Sequence, residues 1–277
     1  MDASAVAALR NADPDRYLTT LYAPPDRRAA LQALFAFNAE IAGIRDRISQ
    51  PLPGEIRLQW WRDLIDAENP EAAAGHPVAE ALLAVIRDRG LPRAAFANYL
   101  EARIFDLYDD PMPTRQDLEG YCGETAAVLI QLAAMILDAG AAPAHAELAG
   151  RAGCAQAITG LIRLMPLHRA RGQCYVPRDI LAAVGSSPEA FVKDSGDAEV
   201  RAVQAMGALA REHLSAFDAG SGALPDALRP AFLPLALTGA YLDRLAGREA
   251  AALTQGVDIT AVRKHWLMFR RATRGWR

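Results

Sequence analysis

Few side chains in this sequence could do chemistry, and their spacing excludes several kinds of it. The five histidines, His76, His145, His168, His213 and His265, never form HxxxH or HExxH. Those spacings put zinc ligands on one helix face, so no His/Cys metal centre is expected. Cys122, Cys154 and Cys174 contain no CxxC pair, and their odd number predicts free thiols in a reducing compartment. No GxSxG elbow or glycine-rich phosphate loop is present, and Cys122 and Cys154 lie in apolar helical patterns that packing explains. What remains is polar and basic. Asn38, Glu40 and Gln59 sit close to apolar helix faces, as a buried hydrogen-bond network or as ordinary surface residues. Asp46 lies between Arg45 and Arg47, a setting for a solvated or ion-paired carboxylate. Asp106 precedes Asp109-Asp110-Pro111, where a polar turn is expected. Arg163, His168, Arg171 and Tyr175 form a second polar group, whose arginine forks suit phosphate but are common on any surface.

These residues must be positioned by helices. Alanine and leucine recur three and four apart, and no run of β-branched and aromatic residues alternates, so the fold class is all-α. Pro24-Pro25 opens a long helix that Pro51 and Pro53 are expected to stop. Further helices are predicted over 54–68, 77–89, 92–108, 115–138, 143–165, 197–218, 226–247 and 258–276, separated by breakers such as Asn69-Pro70, Gly90 and Gly220-Ser221-Gly222. Short connections predict one domain over 1–277, with Gly185 to Gly196 its most irregular part. Trp60 and Trp61 point about 100° apart on a helix, so one is expected in the core and the other at a partner contact.

The 277 residues carry 30 basic and 33 acidic side chains, a net charge of −3 that hides a polarity. From Asp258 onward the chain carries +5, and the rest carries −8. On a helical wheel Val262, Trp266, Phe269 and Trp276 form one stripe, with Arg263, Lys264, Arg270, Arg271, Arg274 and Arg277 beside it. Such a basic amphipathic helix either docks on the body or meets an anionic membrane or a partner. One short basic segment on an acidic body is a poor footprint for nucleic acid. The start, Met1-Asp2-Ala3-Ser4, does not read as a secretory signal. The longest apolar stretch, 126–137, falls short of the roughly 20 residues of a membrane span. The expected location is cytoplasmic, peripheral on the inner membrane.

Three ordered segments resemble the squalene/phytoene synthase family. They are Leu21-Tyr22-Ala23-Pro24-Pro25-Asp26-Arg27-Arg28 leading into Leu34-Phe35-Ala36-Phe37, then Tyr121-Cys122 with Thr125-Ala126-Ala127, and Gly160-Leu161-Ile162-Arg163 continuing to Arg171-Gly172-Gln173-Cys174-Tyr175-Val176-Pro177. The resemblance implies an isoprenoid (terpenoid) synthase bundle around a central cavity. It also implies two helical DxxxD pairs, whose carboxylates share a face and hold Mg²⁺ against the diphosphates of two allylic substrates. At the first pair stand Ala42 and Asp46, and at the second Leu164 and His168, with Pro166 between them to kink or end the helix.

Ala36-Phe37-Asn38-Ala39-Glu40-Ile41-Ala42 and Arg57-Leu58-Gln59-Trp60-Trp61-Arg62 are similar to the branch containing a mitochondrial complex I assembly factor, which has also lost the aspartate pairs. That branch implies a non-catalytic protein in the building of a respiratory complex, partnered with a complex subunit or assembly intermediate; no cofactor is expected, and a remnant of the cavity is expected to carry or sense a prenyl lipid. The alternative is an active prenyltransferase that condenses allylic diphosphates with Mg²⁺ on displaced ligands.

Overall fold

The computed structural model describes residues 3–67 and 70–276, so the Asn69 breaker and Arg277 lie outside the described residues. Among these residues there is no strand. The helices are α1 Ala3–Ala12, α2 Pro14–Thr20, α3 Pro25–Ala42, α4 Pro51–Asp66, α5 Pro77–Arg89, α6 Arg93–Ile104, α7 Arg115–Cys122 and α8 Val128–Leu137. They continue with α9 Ala146–Arg163, α10 Met165–Ala170, α11 Arg178–Val184, α12 Pro188–Lys193, α13 Asp197–Gly220, α14 Arg229–Phe232, α15 Thr238–Leu245, α16 Glu249–Ala252 and α17 Ala261–Arg274.

Proline opens many of these helices, because its missing N–H costs nothing in the first turn and its φ is already helical. Pro14, Pro25, Pro51, Pro77, Pro166 and Pro188 all stand there. The predicted long helix from Pro24 therefore ends earlier than expected, at Ala42 with Gly43 as its cap. Pro51 opens α4 rather than stopping α3. Gly185 to Gly196, expected to be irregular, contains α12, capped by the Ser187 hydroxyl accepting from the Ala190 N–H. The predicted helix 226–247 breaks into short α and 3-10 turns around Pro230 and Pro234 before α15.

The chain forms two compact units, each built from separated segments. The first contains Met1–Leu107, Val128–Ala146 and Leu224–Pro234. In it α3 packs against α1, α2, α5, α6 and α8, while α4 lies along α6. Phe37 centres its core, with ring centroids 5.0 Å from Trp61, 5.7 Å from Phe96 and 5.4 Å from Tyr99. Trp61 is the buried tryptophan that the sequence predicted. Trp60 is half-buried, 5.2 Å from the His76 ring with the Arg57 guanidinium over it.

The second unit contains Tyr108–Ala127, Glu147–Ala223 and Leu235–Arg277. Its spine is α13, against which α11, α15 and α16 pack. After α7 the helix widens into a π-helical turn, Gly123–Ala127. The helical run Arg115–Leu137 is long and apolar enough to cross a membrane by length and composition alone. Its most apolar window is 61% buried inside the protein, so core packing accounts for its character.

Candidate functional site

In the first unit α3 presents Asn38, α6 presents Tyr99 and Arg103 one turn apart, and the 3-10 turn Phe105–Leu107 adds Asp106. The Tyr99 hydroxyl donates to Asn38 Oδ1 at 2.9 Å, Arg103 reaches the same oxygen at 3.5 Å, and Arg103 pairs with Asp106 at 2.9 Å. Asn38 is buried, and burial pushes the Tyr99 phenol above its ordinary value of 10, against the opposing pull of the nearby Arg103 guanidinium. A neutral phenol donating into a buried amide is the stable state here. The sequence singled out Asn38 and Asp106 but missed Tyr99 and Arg103. The signal was local: Arg103 follows Tyr99 by four residues and precedes Asp106 by three.

Glu40 and Gln59 do not join that network. Glu40 accepts from Arg57 at 2.7 Å and lies 3.2 Å from His76 Nε2. The His76 Nδ1 accepts from the Ala79 N–H, so the proton on Nε2 points to Glu40. Gln59 is exposed and donates to Asp63 one turn along α4. At the positions expected for the first aspartate pair, Ala42 is the last residue of α3, and Asp46 is exposed in the 3-10 turn Arg45–Arg47. The helix that would bring positions 42 and 46 onto one face ends between them.

In the second unit α9 ends at Arg163, Leu164 caps the next helix, and Pro166 opens α10. Leu164 is exposed, and His168 is half-buried with its ring 4.6 Å from Tyr175. His168 is thus helical, in α10. The segment around Tyr175 is stitched to Met112 by two backbone hydrogen bonds, Met112 N–H to Cys174 O and Arg178 N–H to Met112 O, each 3.0 Å. Tyr121 stacks beyond Tyr175 at 6.0 Å. A niche between His168, Arg169, Gln173, Tyr175 and Phe191 holds about 10 Å³, enough for a single water and far too little for a prenyl chain.

Neither position fits Mg²⁺. A hard cation takes several oxygen ligands, and these positions supply one carboxylate, one imidazole and two hydrocarbon side chains. Among the described residues no group of three or more His, Cys, Asp or Glu is placed to share a metal ion.

Two arginines of this unit, Arg163 and Arg169, hold structure. Arg163 lies 3.8 Å over the Tyr241 ring, donates to Val257 O at 3.2 Å and meets Asp258 at 3.6 Å. Arg171 is half-buried at the end of α10. Arg169, which the sequence did not single out, is buried and donates to the carbonyls of Phe191, Asp194 and Leu253 and to the Ser195 hydroxyl. Burial pushes its guanidinium pKa down. No local pattern announces Arg169, because its partners lie 22 to 84 residues away.

The basic tail forms α17, shorter than the predicted 258–276. Thr260 caps its start, and Gly275 turns the chain away at φ 67°, a conformation that side chains resist. Trp276 therefore leaves the predicted stripe and stacks edge-on against Phe217 at 5.4 Å. Lys264 pairs with Asp258 at 3.2 Å, Met268 is buried, and Arg271 lies over Trp276. Burial lowers the Arg271 pKa while the Asp218 charge opposes that shift. Lys264, Arg271 and Trp276 thus face the body. Val262, Trp266 and Phe269 remain exposed, with Arg263, Arg270 and Arg274.

A family model described as squalene/phytoene synthase matches residues 9–268. The "NADH dehydrogenase (ubiquinone) complex I, assembly factor 6" of Bos taurus is 31% identical over 239 residues, covering 86% of this chain and 71% of that protein. A presqualene diphosphate synthase of Sinorhizobium fredii is 26% identical over 263 residues, 92% of each chain. The crystal structure of a dehydrosqualene synthase in complex with ligand superposes with a TM-score of 0.81 at 18% identity, covering 98% of this chain and 95% of that one. The architecture is the all-α isoprenoid synthase fold.

Proposed function

Because the chain belongs to the squalene/phytoene synthase family, we propose that it is a non-catalytic member acting in the assembly of a membrane respiratory complex of the complex I type. The observation that carries this reading is the content of the two metal positions. Ala42 and Leu164 supply no oxygen, α3 ends before Asp46, and Pro166 starts a new helix between Leu164 and His168. Without clustered carboxylates the leaving diphosphate of an allylic substrate has no metal to neutralise it. The likeness to the Bos taurus assembly factor supports the choice of partner, a subunit or intermediate of that complex. On this reading the protein needs no cofactor and works at the cytoplasmic face of the inner membrane.

The second reading is an active prenyltransferase, favoured by the likeness to presqualene diphosphate synthase over 92% of the chain. Incubating the purified protein with farnesyl or geranylgeranyl diphosphate and Mg²⁺ separates the two. The assembly reading expects no diphosphate release above buffer, together with a loss of assembled NADH:quinone oxidoreductase from the membranes of a strain lacking the chain. Robust release, or a normal complement of the enzyme in that strain, overturns it.

A further inference from the structure

The helix α17 has two unlike sides. At about 100° per residue, Lys264, Met268 and Arg271 share the side turned to the body, held by Asp258, the buried Met268 contact and the Trp276 stack. Val262, Trp266 and Phe269 fall within roughly 60° of arc on the opposite side. Their exposures of 81%, 61% and 51% are those of side chains that touch little protein. The exposed Arg263, Arg270 and Arg274 gather on one flank of that stripe, and no acid occurs between Ala261 and Arg274.

We propose that this outer face of α17 is a docking surface for an anionic lipid bilayer. Val262, Trp266 and Phe269 enter the headgroup boundary, and Arg263, Arg270 and Arg274 meet lipid phosphates. This deepens the membrane placement above, on which it rests, by naming the surface. Charge decides the occupant. An apolar stripe beside three cations and no acid complements a negatively charged interface, and an indole at the rim suits the boundary between acyl chains and headgroups. The inner side is anchored, so the helix is presented ready-formed, and binding need not order it.

The test is flotation of the full-length protein with vesicles of phosphatidylcholine, with and without about 30% phosphatidylglycerol. The intact chain is expected to float with the anionic vesicles and to be released by salt. The variant V262S/W266S/F269S, altered only at exposed positions and checked by its melting curve, is expected to lose partitioning by on the order of tenfold or more. R263Q/R270Q/R274Q is expected to lose the preference for anionic lipid. If the intact chain floats and V262S/W266S/F269S floats equally well, the surface is wrong while the membrane placement survives. If the intact chain floats with neither vesicle, both fall, as they would if the face served a protein partner, and the assembly role still stands on its own test.

Discussion

Asn38 is a buried amide, and its oxygen accepts a hydrogen bond from the Tyr99 hydroxyl and a contact from Arg103. An amide in such a place is stable only while its partners are present, since burying an unbonded polar group costs about 1–3 kcal/mol. Asn38→Ala strands the Tyr99 hydroxyl and should destabilise the protein by about that amount in urea unfolding. Tyr99→Phe removes the donor and should cost about 1 kcal/mol, and the double variant should cost less than the sum, because each change removes the same bond. A strictly additive pair would contradict the network. At this scale the sequence marked Asn38 and Asp106 as polar residues beside apolar faces. It did not pair them, since Tyr99 lies 61 residues from Asn38. The identities at positions 42, 46, 164 and 168, in contrast, were readable at once, because a residue's type needs no fold to be seen.

Among the helices, α9 comes close to the backbone of the π-helical turn at Gly153. A Cβ added at Gly153 would meet Ala127 N and Cα at 2.4 Å, which is backbone and cannot give way. Gly150, one turn earlier on the same helix, has nothing within 4 Å. Helix propensity alone favours alanine over glycine by about 1 kcal/mol at both positions. Thermal unfolding should therefore show Gly150→Ala neutral or stabilised and Gly153→Ala destabilised by about 1–3 kcal/mol through overpacking. Equal effects would mean that α9 stands further from the turn. Helix existence was legible from periodicity, and 77–89 matches α5 to the residue. Boundaries were misjudged where proline has two meanings: Pro51 and Pro166 end one element only by starting another.

On the scale of the molecule, neither unit is a contiguous stretch. The first draws α8 and α14 from beyond residue 127, and α8 packs on α3. A fragment of residues 1–107 lacks those helices and exposes the apolar face of α3 that α8 covers. It should lack a cooperative melt by circular dichroism, whereas the full chain melts cooperatively; a cooperative fragment would show that α8 is dispensable.

The fold class and the family pattern were determined by the sequence itself, as were the residue types at positions 42, 46, 164 and 168, because each depends on residue type and local spacing. The polarity of charge was equally plain in the numbers, −8 against +5. Which side of the tail faces outward was decided only by tertiary structure. A helical wheel ranks faces by composition, and composition would bury Val262, Trp266 and Phe269. Tyr241 and Phe217 of the body, with Asp258 just before the helix, instead capture Lys264 and Trp276 and leave Val262, Trp266 and Phe269 in solvent.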